Sequence, residues 1–255
     1  MKIGWMDTHA HVMDASLLLQ IDDVIKRCIE NDVVSVTLIC MSIEEIELGI
    51  RLQSKYPMLE LFGGFHPVDI TNDSIENYQK LEEFIINGKI VGIGEIGLDF
   101  YWDKQYRDAQ IVAFRRQCEL AIKHDVPINI HMRDATQEVY DIISSYKGQL
   151  RGVMHCYSGS VEMAKAFIKQ GFLISLGGIL TFKNAKSVIE VAEEIDLEHL
   201  LIETDSPYLT PHPYRGKLNE PSYVALVGEK LASIKNMEHF TIQTQMQKNY
   251  KRLFK

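Results

Sequence analysis

The chain has 255 residues, 46% of them hydrophobic, enough apolar material to fill a substantial core, which excludes a disordered or fibrous protein. Asp and Glu number 35 against 27 Lys and Arg, a formal charge of -8, the wrong sign for coating nucleic acid through a general basic surface. Any polyanion handled by such a chain needs positive charge supplied locally.

No linker, low-complexity tract or charge block divides the sequence, so residues 1–255 read as one domain. Apolar runs rich in β-branched residues recur at 3–6, 33–41, 59–65, 90–96, 126–130, 150–154, 171–176 and 200–203, and each is a strand candidate. Helical spacing fills intervals between them at 16–31, 43–55, 74–87, 104–124, 135–146, 161–170 and 183–195. The clearest is 104–124, with Ile111, Phe114 and Cys118 on one face. A strand followed by a helix, about eight times in roughly 250 residues, is the pattern of an α/β fold of the (β/α)8 TIM-barrel type; a doubly wound open sheet is the alternative.

Gly92, Gly94 and Gly97 spell G-x-G-x-x-G, the dinucleotide fingerprint. That fingerprint needs a helix to open within the glycines, whereas the bulky run Leu98-Asp99-Phe100-Tyr101-Trp102 follows here, and the motif sits in the fourth strand candidate. A nicotinamide site is therefore not expected.

The longest nearly uncharged apolar stretch, 171–180, is far short of the ~20 residues that span a bilayer. Lys2, Asp7, His9, His11 and Asp14 break the apolar core that a signal peptide requires. A cytoplasmic protein with no membrane partner is expected. Cys28, Cys40, Cys118 and Cys156 contain no C-x-x-C pair, which points to reduced thiols and away from Cys-ligated zinc.

Histidines collect where strands end. His9 and His11 close the first candidate strand, His66 follows the third, His131 the fifth and His155 the sixth, and in a barrel those ends converge on the C-terminal mouth, where active sites are built. His9 and His11 are two residues apart, so both imidazoles face the same side of a strand. Glu95 after the fourth strand and Asp205 after the eighth add carboxylates. So many polar groups at one mouth need a metal or mutual pairing. Nitrogen and oxygen donors without thiolate suit one or two divalent ions such as Zn, Mg or Mn. His9, His11 and Glu95 would hold one ion, and Glu95, His131 and His155 the other. Asp205 would touch a metal and accept a proton from the attacking water as general base.

The motifs Asp7-Thr8-His9-Ala10-His11, Gly64-Phe65-His66-Pro67, Gly94-Glu95-Ile96-Gly97-Leu98-Asp99, Asn129-Ile130-His131-Met132-Arg133, His155-Cys156-Tyr157-Ser158-Gly159, Glu203-Thr204-Asp205-Ser206-Pro207 and Asn219-Glu220-Pro221 occur in order along nearly the whole chain. In these the sequence resembles the TatD-like metal-dependent hydrolases, or TatD deoxyribonucleases, of the amidohydrolase superfamily. The resemblance implies a barrel hydrolase that uses divalent metal to cleave phosphodiester bonds of DNA, with RNA a second candidate, commonly as an exonuclease. It implies that Glu95 is the bridging carboxylate. Ala10 and Tyr157 depart from the frequent Cys and Phe at their positions, and neither removes a ligand.

Arg133 and Arg215 lie just past strand ends, where guanidinium groups could hold phosphates, and His66 is placed to touch substrate. Glu203, on the same side of its strand as Asp205, is a candidate to support the ligands from behind. Tyr101, Trp102 and Tyr157 are candidate stacking surfaces for a base, while Arg115 and Arg116 belong to the outer face of a helix. Two other readings stand beside the nuclease. One is hydrolysis of amide, lactone or ester bonds, including D-aminoacyl-tRNA deacylation, because the same activated water attacks carbonyl carbon. The other is a metal-dependent nucleic-acid-binding protein without catalysis. The pattern leaves the oligomeric state open, and a monomer is compatible with it.

Overall fold

Runs of apolar residues buried on both faces are what a parallel strand requires, and the computed structural model, which describes residues 2–69, 74–102 and 104–254, builds eight of them. They are β1 (Trp5–Ala10), β2 (Val33–Cys40), β3 (Leu59–Gly63), β4 (Gly92–Asp99), β5 (Ile128–Arg133), β6 (Gly152–Met154), β7 (Phe172–Leu176) and β8 (Leu200–Ile202). Every neighbouring pair is parallel and the order in the sheet is the order in the chain. The two edges meet beyond β8, where Ala10 bridges Ser206. There the Asp205 amide donates to the His9 carbonyl at 3.0 Å and the His11 amide to the Ser206 carbonyl at 2.8 Å. The sheet is thus a nearly closed (β/α)8 barrel, and the open-sheet alternative falls.

Among the described residues ten helices surround it: α1 (Ala15–Leu18), α2 (Ile21–Glu30), α3 (Ile43–Lys55), α4 (Ile75–Ile86), α5 (Arg107–His124), α6 (Thr136–Ser145), α7 (Val161–Lys169), α8 (Lys186–Glu194), α9 (Val224–Lys235) and α10 (His239–Arg252). Ser42, Ser74 and Ser160 cap α3, α4 and α7 by accepting a backbone N–H with their hydroxyls, which satisfies one of the donors that a helix start leaves unpaired. Helices α9 and α10 lie beyond the segments that periodicity marked. Gly228 on α9 lets that helix sit against the Trp5 ring, since a Cβ there would come within 2.2 Å of it. From α10, the Gln247 amide donates to the Lys2 and Gly4 carbonyls, and Tyr250 shares a 2.9 Å hydrogen bond with Thr37. None of the helices is long and apolar enough to cross a membrane.

Two strands extend further than their apolar runs suggest. β4 continues to Asp99 and β5 to Arg133, so Glu95 and His131 stand within strands rather than after them. The G-x-G-x-x-G glycines lie on β4 itself and open no helix. Gly92 makes room for the Phe62 ring of β3, and Gly94 and Gly97 allow close packing against β5: Gly97 has φ +141°, and a Cβ on it would meet the His131 carbonyl oxygen at 2.0 Å.

Gly97→Ala must therefore push β4 from β5 and adopt a backbone conformation that L side chains avoid. A loss of about 2–3 kcal/mol is expected, seen as a thermal midpoint lower by roughly 5–10 °C. An unchanged midpoint would show that the two strands can part without cost.

Candidate metal centre

The ends of β1, β4 and β5 and the segments after β3, β6 and β8 bring one carboxylate into contact with five imidazoles. Glu95, 3% exposed, faces two ways. Its Oε2 lies 3.3 Å from His9 Nε2 and 3.4 Å from His11 Nε2. Its Oε1 lies 2.6 Å from His131 Nδ1, 3.1 Å from His155 Nε2 and 3.7 Å from His66 Nε2. Imidazoles thus meet both oxygens of the carboxylate, and His66, which the sequence reading assigned to substrate, stands on the same side as His131 and His155. Asp205 joins the first group, with Oδ1 3.4 Å from His11 Nε2 and 3.8 Å from His9 Nε2.

The donors fit a divalent cation. His9, His11 and Asp205 each offer a ligand atom within 4.8 Å of the others, and so do His66, Glu95 and His131. The Nε2 atoms of His9 and His11 stand only 3.0 Å apart, and two imidazoles can turn nitrogens toward each other so closely only with a proton or a metal ion between them. All ligand atoms are nitrogen or carboxylate oxygen, the set that zinc, manganese and magnesium accept.

Four of the five rings are oriented from behind, as metal-bound imidazoles commonly are, whereas the buried His11 Nδ1 has no hydrogen-bond partner among the described residues. His9 Nδ1 lies 3.0 Å from Asn129 Oδ1. His155 Nδ1 lies 2.9 Å from Glu203 Oε1, which also accepts the Cys156 amide at 2.6 Å. His131 Nε2 lies 2.9 Å from Asp99 Oδ2. The His66 ring accepts the Val68 amide on Nδ1 at 3.3 Å, so a neutral His66 carries its proton on Nε2 and presents it to the site. Asn129 is on the same strand and face as His131, a signal the sequence held. Asp99 lies past the apolar run at 90–96 and carries no role in the sequence reading.

A deeper layer fixes the backbone at the seam between β1 and β8. The buried Asp7 carboxylate accepts from the amides of His9 and Thr204 and from the Thr204 hydroxyl. Asn219 in turn donates to the Thr204 carbonyl at 2.9 Å. Burial raises the Asp7 pKa to about 8, with the Glu203 charge adding to it, against the pull of those hydrogen bonds.

Electrostatics follow from burial. Desolvation pushes Glu95 upward, but the charges of His155, His66 and His9 and the hydrogen bond from His11 outweigh it and hold the carboxyl well below its usual value. Burial likewise opposes ionisation of Asp205, yet His11, His155 and His9 keep it below normal. Burial would lower His11, but hydrogen bonds to Asp205 and Glu95 raise it to about 10. His66 lacks such compensation, and burial takes it down to about 4.

The site opens into a cavity of about 500 Å3 whose walls include His11, His66, Trp102, Arg133, Asp205 and Tyr208. A second space of about 280 Å3 adjoins it, lined by Arg133, Cys156, Ile179 and Leu209 among others. The Arg133 guanidinium lies 4.0 Å over the Tyr101 ring and 5.4 Å from that of Trp102. No carboxylate among the described residues pairs with it. Arg215 is not among the residues that line either cavity; it lies farther out, 4.1 Å over the Phe182 ring. Tyr157 is buried, its hydroxyl donating to the Ser160 carbonyl at 2.8 Å, so it offers no stacking face. Tyr101 and Trp102 are exposed. Arg115 meets Ser145 on the helix exterior and Arg116 lies over Tyr78. Cys28, Cys40, Cys118 and Cys156 are all free.

A family described as TatD related DNase matches residues 6–255. This chain belongs to that family. It is 40% identical over 250 residues to the uncharacterized metal-dependent hydrolase YabD of Bacillus subtilis, covering 98% of both chains. It is 31% identical over 262 residues to the uncharacterized metal-dependent hydrolase YcfH of Escherichia coli, covering 98% of this chain and 95% of that one. Among solved structures, the TatD homologue YjjV of Escherichia coli superposes with a TM-score of 0.92 at 25% identity, covering 98% of this chain and 97% of its own. An organophosphorus hydrolase from Deinococcus radiodurans, at 13% identity and a TM-score of 0.61, shares the fold, covering all of this chain and 94% of its own.

Within this TatD family site, Glu203→Gln keeps the shape behind His155 but removes the negative charge. Metal affinity is expected to fall about tenfold or more, measured by competition with a chromogenic chelator. An unchanged affinity would reduce Glu203 to a packing role.

Proposed function

We propose that this chain is a metal-dependent phosphodiesterase, a TatD-type deoxyribonuclease that removes nucleotides from DNA ends, with RNA as a second substrate class. The observation that carries this reading is the junction of a two-position cation site with a nucleotide-scale cavity walled by Arg133, whose charge is seated on aromatic rings and matched by no carboxylate among the described residues. The family description and the relatives' names support hydrolysis with metal.

His9, His11, Glu95 and Asp205 would hold one divalent ion, and Glu95, His131 and His155 a second. Bound there, such ions supply electrophilic assistance to a phosphoryl oxygen and lower the pKa of an attacking water. The protein holds the ligands in place and moves the proton. Asp205 lines both cavities and is ionised at neutral pH, so its carboxylate can take the proton of the water. His66, neutral with its proton on Nε2, donates toward the same space. Arg133 offers paired N–H groups to a phosphate, the geometry guanidinium supplies and ammonium does not. Glu203 and Asp99 keep His155 and His131 turned to the site.

All of these groups come from one chain, so a monomer suffices for the reaction. Four free cysteines agree with a reducing compartment such as the cytoplasm.

The test is cleavage of end-labelled single-stranded DNA, duplex DNA and RNA by chelator-stripped protein, with Mg, Mn or Zn added back and with ester, amide and D-aminoacyl-tRNA substrates in parallel. Chelation should abolish cleavage and metal restore it. Asp205→Asn should still load metal while turnover falls by about 100-fold or more. Chelator-resistant cleavage, near-normal turnover by that variant, or a preference for the carbonyl substrates would overturn the proposal.

A further inference from the structure

The loops after β7 and β8 form a rim beside the cavity that the chemistry above does not use. Residues 177–185 and 206–219 contain Lys183, Arg215 and Lys217 and no Asp or Glu, in a chain whose net charge is -8. The two loops are locked together. The His212 amide donates to the Thr181 hydroxyl at 2.8 Å, and Gly178 sits so close that a Cβ would come within 2.0 Å of the Leu209 carbonyl oxygen. Leu209 lines both cavities and Ile179 the smaller one, so the rim begins where the cavities end.

Its cations rest on rings. Arg215 stands 4.1 Å over Phe182, and Lys217 5.5 Å from the Tyr214 centroid. Tyr214 is itself stacked on Tyr223 at 4.9 Å, and the residue is 37% exposed. Among the described residues no carboxylate pairs with Arg215 or Lys217. Some surface cations elsewhere are matched, as in Arg107 with Glu138, Lys55 with Asp22 and Lys123 with Glu82, and others are not, but those at the rim stand beside the cavity and on rings. Cations without a carboxylate partner, set beside a tyrosine that is partly open to solvent, suit a ligand that alternates phosphate and planar base, and only unpaired bases can lie flat on such a ring.

We infer that this rim is a second subsite of the same site, which takes the nucleotides of a single-stranded polynucleotide lying beyond the one held at the metal centre. The inference rests on the phosphodiesterase reading. Arg215 and Lys217 contact phosphates there, and Tyr214 carries a base.

Steady-state cleavage by the metal-loaded enzyme, compared between a single strand of about a dozen nucleotides and a dinucleotide, tests it. For the Arg215→Ala, Lys217→Ala pair and for Tyr214→Ala, KM on the long strand should rise about fivefold or more. Its kcat and both constants on the dinucleotide should stay unchanged. The salt dependence of long-strand binding should lose a slope of about 0.7 per cation removed, and Tyr214→Phe should bind like the parent, since stacking needs the ring and not the hydroxyl. Equal losses on both substrates, or none on either, would overturn the subsite. If the parent enzyme cleaves neither phosphodiester, the phosphodiesterase reading itself falls; if it cleaves both without length dependence in the variants, only the subsite does.

Discussion

Taking the Glu95 carboxylate out of water would cost several kcal/mol if it were left alone. The structure offsets that cost with imidazoles on both of its oxygens, so the charge is stabilised only where strands from opposite parts of the chain meet. His9 and His11 come from the first strand and the segment after it, His131 from the fifth, and His155 from beyond the sixth. A parallel barrel is the arrangement in which those ends converge. Removing the convergence would leave a buried ion without partners, and removing the carboxylate would leave several imidazoles pressed together. The site and the closure of the barrel therefore depend on each other.

That dependence explains how much of the molecule is devoted to holding the ligands still. Gln110 and Gln117, both buried on α5, each pair with one residue's backbone through donor and acceptor together. Gln110 pairs with Asp99 at 2.9 and 3.0 Å, and Gln117 with Phe65 at 2.8 and 3.0 Å. One helix thus fixes the residue that orients His131 and the residue just before His66. Asp99 also accepts the amides of Tyr101 and Trp102, which ties the aromatic turn beneath Arg133 to the same anchor. The aromatic turn and His131 therefore share one carboxylate as their anchor, and a site of this kind needs its side chains placed within a fraction of an ångström.

The alternation of buried runs and amphipathic segments made the barrel legible in the sequence, and the position of histidines at strand ends made the cluster of imidazoles legible. Glu203 could be placed because two-residue spacing puts it on the same side as Asp205. What the sequence concealed are interactions that have no period. Gln110 and Gln117 look like ordinary polar residues of a helix, because their partners lie 11 and 52 residues away in chain order. β4 and β5 outran their apolar runs because Asp99 and Arg133 are polar residues that pair through the backbone, which no side chain advertises. Tyr157 looked like a stacking face until its hydroxyl found the Ser160 carbonyl. α9 and α10 were not marked, although they close the ring and pack beneath it.

Net charge, which at first weighs against a nucleic-acid ligand, operates at a different length scale from the site. Charges on the outside of an acidic protein are screened over about 8 Å at physiological ionic strength, so they weaken long-range capture without reaching the mouth. At the mouth the balance is local: ionised carboxylates compensated by imidazoles, an arginine seated on rings, and donors arranged for divalent cations that would add positive charge where a phosphate must sit. An overall basic surface would instead hold any stretch of duplex through its phosphates. If the phosphodiesterase reading proposed above holds, an acidic exterior with the cations at the cavity edge would restrict engagement to strands that can enter the mouth, favouring ends and unpaired segments over the sides of a duplex.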